Sequence, residues 1–129
     1  MFKSVSKPLP DLKDWNYFID QWGIAWAEFD RDGENQNSLG RRPLEELMEI
    51  VQNVEQGARK REIRGLVISS AKPSGFIVGA DIREFEDLTT EMDVIDKLRP
   101  VNALFERVER LPVPVVAAIN GFCLGGGLE

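Results

Sequence analysis

The chain is 129 residues long, 43% hydrophobic and 29% charged, which suits one soluble globular domain with a core of its own. Its 16 basic and 22 acidic residues leave a net charge of −6, the opposite of the clustered Lys and Arg that general nucleic-acid binding requires. The absence of histidine excludes Ser-His-Asp or Cys-His catalysis and His-ligated metals within this chain. One cysteine makes no internal disulfide, in keeping with a reducing compartment. No run of 18 apolar residues is present, so no transmembrane helix is expected. Residues 1–8 lack the apolar core of a secretory signal, and the chain is read as cytoplasmic. Its chemistry must run on carboxylates, amides and backbone, and an anionic ligand would need a local basic patch.

Residues 1–14, with prolines at 8 and 10 and no clear period, read as a loose N-terminal arm. Tyr17-Phe18-Ile19 and Ile24 to Phe29 predict two strands turned at Gly23. The three nearby tryptophans suit strand packing better than a stacking surface for a base or sugar. Asp30 to Asn35 is turn chemistry. Pro43 then suits the first turn of a helix, and Leu44, Leu47, Met48, Val51, Val54 and Ala58 recur at helical spacing. Gly57 and the basic run Arg59-Lys60-Arg61 suit its C-terminal end, as a solvated cationic cap on the dipole.

Gly65 to Ser70 predicts a short buried strand, so strand, helix and strand form a parallel βαβ unit of an α/β fold. Residues 71–75 are loop. Thr90 with Asp93 resembles a capping box opening a helix whose stripe runs to Leu111, with Pro100 predicting a kink or two shorter helices. Residues 113–120, a β-branched and alanine-rich run, predict a buried parallel strand.

Two stretches share one layout. Phe76-Ile77-Val78-Gly79-Ala80-Asp81-Ile82 carries a short apolar segment into a glycine and an apparent helix start, with an Asp placed to cap it. Gly121-Phe122-Cys123-Leu124-Gly125-Gly126-Gly127-Leu128-Glu129 does the same with three glycines and an acid. Each glycine would cost about 1 kcal/mol inside a helix, but glycine lets backbone N–H groups approach a ligand without a Cβ in the way. Either stretch is a plain glycine turn, or together they stabilise negative charge beside a proton donor or acceptor.

Taken in order, with the helix between them, these stretches resemble the paired signatures of the crotonase (enoyl-CoA hydratase/isomerase) superfamily. The Ile-Val-Gly-Ala-Asp form, with Gly-Ile-Ala-Trp upstream, is most similar to hydratase domains of multifunctional fatty-acid β-oxidation α-subunits. The resemblance runs from about Trp15 to the end. It implies an α/β fold, a crotonase-like spiral of ββα units, here truncated, with residues 15–129 as the N-terminal part of the domain. It implies acyl-CoA thioesters as substrates, no cofactor, and assembly as a homotrimer or as a subunit of a β-oxidation complex. By position, Ala80 and Gly126 would supply the N–H groups of an oxyanion hole, and Asp81, Ile82 and Arg83 would lie along the CoA loop. Glu129 matches the first of the family's two catalytic glutamates. Arg83, Lys72, Arg41 and Arg42 are candidate partners for the CoA phosphates. The second glutamate would lie beyond Glu129, so the chain alone is expected to be poorly active and prone to self-association. Without that glutamate, hydration, double-bond isomerisation and non-catalytic acyl-CoA or partner binding all remain open.

Overall fold

The computed structural model describes residues 5–86 and 88–129, so the first four residues of the expected arm and one residue of the charged loop after Phe85 lie outside it. A mixed four-stranded sheet is ordered β1-β2-β3-β5, with β1 (Trp15–Ile19), β2 (Ile24–Phe29), β3 (Gly65–Ser70) and β5 (Val115–Ala117). β1 and β2 form an antiparallel hairpin through Gly23, whose φ of 80° is the left-handed conformation the turn demands. β3 and β5 each join in parallel, and α1 (Arg41–Arg59) makes the crossover between β2 and β3, as the βαβ reading predicts. A second, two-stranded sheet pairs β4 (Gly75–Ile77) in parallel with β6 (Phe122–Cys123). β6 is absent from the sequence reading because two residues carry no period.

Alternation along the hairpin decides its faces. Trp15, Tyr17, Ala25, Ala27 and Phe29 point into the core, where the Trp15 and Phe29 rings stack 4.3 Å apart. Phe18 and Trp26 stack on the opposite face. Two of the three tryptophans are thus strand packing, while Trp22 sits exposed in the turn.

α1 buries Leu47, Ile50, Val51, Val54 and Gly57, a stripe one step round from the expected one. The reason lies at Gly57, where a Cβ would stand 2.4 Å from Ile63 Cδ1. This glycine is a packing position inside the helix rather than its end marker. The left-handed residue after the helix is Arg61, with φ of 60°. The arm is not loose over its described part. Ser6 exchanges backbone hydrogen bonds of 3.0 and 2.8 Å with Ile19, and Leu9 and Leu12 pack against the core. The amides of Lys13 and Asp14 donate to the buried Glu46 carboxylate at 2.8–3.0 Å.

α2 (Glu91–Glu109) opens with the expected capping box, Thr90 Oγ1 accepting from Asp93 N at 3.1 Å. It then runs through Pro100 as one helix, so of the expected kink or two shorter helices the division does not occur. Pro100 and Asp96 are both exposed, so the carbonyl that loses its partner faces water and the cost stays small. Among the described residues of α2 only Leu104 is buried, while Met92, Ile95 and Leu98 are exposed. β5 is parallel as predicted but is not buried. It lies at the sheet edge with Val116 56% exposed, because only β3 flanks it.

Asn37 joins the two sheets. Its Nδ2 donates to Phe29 O, Ser70 Oγ and Phe76 O at 2.9–3.1 Å, and its Oδ1 accepts from Arg31 N at 2.9 Å. Phe29 O and Ser70 Oγ have further partners in Ala71 N, Gly75 O and Lys72 N, but replacing Asn37 by Leu takes these hydrogen bonds from Phe76 O and Arg31 N, each at about 1–3 kcal/mol. Asn37→Leu is expected to lower the urea midpoint by an amount equivalent to about 3 kcal/mol at unchanged slope; an unshifted midpoint overturns the assignment.

Candidate active site

β4 and β6 run side by side, and each ends in a glycine turn. The parallel pairing sets Gly75 opposite Phe122 and Ile77 opposite Cys123, with Leu124 N donating to Ile77 O at 2.9 Å. The strands therefore deliver Gly79 and Gly125 to the same place. Both have positive φ, 109° and 52°. A Cβ on Gly125 would lie 3.4 Å from Gly79 Cα, and one on Gly79 would lie 3.3 Å from Leu124 O. The two turns touch backbone to backbone, and the residues that follow are Ala80 and Gly126.

The amides of Ala80 and Gly126 donate to no group among the described residues. At Ala80 the cause is the pairing of Leu39 in parallel with it. Leu39 N donates to Gly79 O at 2.7 Å and Leu39 O accepts from Asp81 N at 3.1 Å. In an extended chain successive amides alternate sides, so Ala80 N–H faces away from Leu39. At Gly126 the chain forms a 3-10 turn, Gly125–Gly127, rather than the expected start of an α-helix. Its hydrogen bonds use Gly127 N and Leu128 N, leaving the amide between Gly125 and Gly126 unengaged. Cys123 Sγ donates to Gly127 O at 3.3 Å and closes the turn. At Gly127 a Cβ would stand 2.6 Å from Ile77 Cβ, so a side chain there is sterically excluded.

Gly126, Gly127, Leu128 and Glu129 border an apolar cavity of about 230 Å³, with Ile77 and Phe105 among its walls. Ala80 is not among its lining residues. The exposed Glu129 stands at its margin. The structure thus groups Ala80 with Gly126 through the glycine contact, and Gly126 with Glu129 through the cavity.

Asp81 and Arg83 are occupied by each other. Asp81 is 6% exposed. It accepts from Arg83 Nε and Nη2 at 2.9 Å, from Arg31 Nη1 at 2.7 Å and from Arg83 N at 3.1 Å as the cap of the 3-10 turn Ile82–Phe85. Arg83 also pairs with Glu34 at 2.7 Å. Ile82 is 79% exposed. The remaining cations named for the CoA phosphates are likewise held by acids of the chain: Lys72 by Asp30, Arg41 by Glu45 and Arg42 by Asp14. An anionic ligand at any of them competes with a carboxylate. Glu84, not singled out in the sequence, accepts from Arg41 N through both oxygens at 3.0 and 2.8 Å. Its only sequence signal is the missing side-chain cap at Gly40, the residue before α1. No group of three or more metal-ligating side chains forms among the described residues.

The profile of the family described as "Enoyl-CoA hydratase/isomerase" matches residues 20–129. The chain belongs to this family. Relatives include two proteins named "Fatty acid oxidation complex subunit alpha". The one from Acinetobacter baumannii (strain AYE) is 43% identical over 109 residues, covering 83% of this chain and 15% of the relative. The one from Vibrio parahaemolyticus is 36% identical over 121 residues, covering 94% and 17%. Among solved structures, the enoyl-CoA hydratase from Bacillus anthracis superposes with a TM-score of 0.74 at 31% identity, over 88% of this chain and 42% of that one. Pseudomonas aeruginosa DspI gives 0.78 at 24% identity, a likeness of fold alone. The crotonase-like fold expected from the sequence is therefore present in part. The chain spans well under half of the solved hydratase and about a sixth of the α-subunits.

Arg83 and Arg31 hold the Asp81 carboxyl well below the usual carboxylate range, outweighing the cost of its burial. The native state then binds fewer protons than the unfolded chain, whose Asp titrates near pH ~3.9. The resulting stabilisation is complete at neutral pH and is lost as the pH falls below about 4 toward the folded value. In Asp81→Asn this contribution is gone, so its melting temperature is expected to depend less on pH between about 5 and 3 than the parent's; parallel curves for the two overturn this.

Proposed function

We propose that this chain forms the oxyanion-binding part of an enoyl-CoA hydratase acting in fatty-acid β-oxidation. The observation that carries the reading is the contact of Gly79 with Gly125, which puts two unengaged amides, Ala80 N–H and Gly126 N–H, on adjoining turns. Addition of water across a 2-enoyl thioester develops negative charge on the thioester oxygen. Two preorganised amides stabilise that charge, each worth on the order of 3 kcal/mol in the transition state. Glu129, at the margin of the apolar cavity, is assigned proton transfer to or from water at the β-carbon, a contribution of about 10²- to 10⁴-fold. The acyl chain occupies the cavity. Neither role draws on a histidine, a metal or a cofactor.

The names of the relatives support assignment to a fatty acid oxidation complex, and we place this chain as a subunit of such a complex, or as a homotrimer, in the cytoplasm. Double-bond isomerisation is the alternative within the same family. It uses the same amides but only shuttles a proton. Product analysis separates the two, since hydration forms a 3-hydroxyacyl thioester and isomerisation only moves the double bond.

The 129 residues by themselves are expected to bind crotonyl-CoA saturably but hydrate it poorly, since this reading puts only one carboxylate at the β-carbon. Calorimetric titration and a hydration assay check both halves. Glu129→Gln should leave the dissociation constant within a factor of about 3 while removing residual hydration. Absence of saturable binding, rapid turnover by the parent, or turnover that survives Glu129→Gln, each overturns the reading.

A further inference from the structure

Ala80 N–H reaches a thioester oxygen only if the turn Gly79-Ala80-Asp81 keeps one orientation. The segment after it has little apolar anchorage at Ile82, which is 79% exposed. Polar contacts fasten it at three points: the Leu39 backbone pairing before and after Ala80, the Asp81 carboxylate on Arg31 and Arg83, and Glu84 on the first amide of α1. The last differs in kind, because it ties the short 3-10 turn to the end of a 19-residue helix. Glu84 N also donates to Asp81 O at 3.1 Å, so a displacement of Glu84 is passed to the Asp81–Ile82 peptide, two peptide units beyond the one that carries the Ala80 N–H.

Gly40 is built to admit this contact. It lies in extended backbone at φ −103°, which any residue adopts, and offers no side-chain cap to the helix. Yet a Cβ there would stand 2.6 Å from Glu84 Oε2 and 2.8 Å from Arg31 Nη2. A Cβ there would make the ends of the Glu84 and Arg31 side chains shift, so the open side of the glycine is what lets the Glu84 carboxylate sit where it does. There the carboxylate takes the place of the missing cap, where an anion meets the positive end of the helix dipole.

We infer that Glu84 is a positioning residue: by capping α1 from 43 residues away it holds the Ala80 amide in the direction that a thioester oxygen needs. This rests on the reading of Ala80 and Gly126 as the oxyanion-binding pair. The test is amide NMR of the 129-residue chain titrated with crotonyl-CoA, read separately at Ala80 and Gly126. The parent should shift at both amides. Glu84→Ala should lose the Ala80 response, keep that of Gly126 and bind about tenfold more weakly, as expected for one hydrogen bond lost. Glu84→Gln, which retains a carbonyl acceptor, should recover most of the Ala80 response. Gly40→Ala, which leaves every carboxylate in place, should reproduce the selective loss and decides the matter if Glu84→Ala does not fold. An Ala80 response unchanged in Glu84→Ala or Gly40→Ala overturns the role of Glu84 alone. A parent that shifts at neither amide overturns the oxyanion reading and this inference with it.

Discussion

The structure turns on a single backbone pairing, Leu39 against Ala80. One hydrogen bond on each side of Ala80 ties the turn to the segment leading into α1, and the geometry of an extended chain leaves the amide between them without a partner. An N–H left unpaired is ordinarily costly when hidden from water. Here Ala80 is exposed, so its unpaired amide does not carry the cost of a group hidden from water. The same pairing fixes the position of Leu39, which packs in the core and approaches Gly126, so one strand-like contact registers both glycine turns.

The acidic balance of the chain has a consequence for ligand binding. Arg31, Arg41, Arg42, Lys72 and Arg83 all have carboxylate partners within the chain. Asp81 gathers two of these cations in a nearly buried position, where charge-assisted hydrogen bonds offset the cost of desolvation. Ion pairs of this kind fix geometry more than they add stability, and Asp81 lies directly beside Ala80. A phosphate-bearing ligand approaching this surface would meet cations already paired with carboxylates.

Close approach, of backbone at some positions and of side chains at others, marks several glycines of this fold. Gly79 and Gly125 meet each other, Gly127 meets Ile77, Gly57 receives Ile63 and Gly40 lies under Glu84. Only the first two of these have the left-handed backbone that marks glycine as a turn residue. The other three are defined by what lies opposite them, across separations that no local pattern reveals.

The short-range physics was readable from the residues. Strand alternation at Ile24 to Phe29, the Thr90–Asp93 capping box and the left-handed turn at Gly23 depend on neighbours within a few positions, and each formed where the sequence placed it. The paired glycine signatures were equally legible, and with them the family. Tertiary structure alone decided the rest. It moved β5 to an exposed edge, left the start of α2 uncovered, bound the N-terminal arm through Glu46 and paired Arg42 with Asp14, Lys72 with Asp30 and Arg83 with Glu34. These outcomes depend on register between strands and on charges far apart in the chain, and those contacts exist only once the backbone has closed.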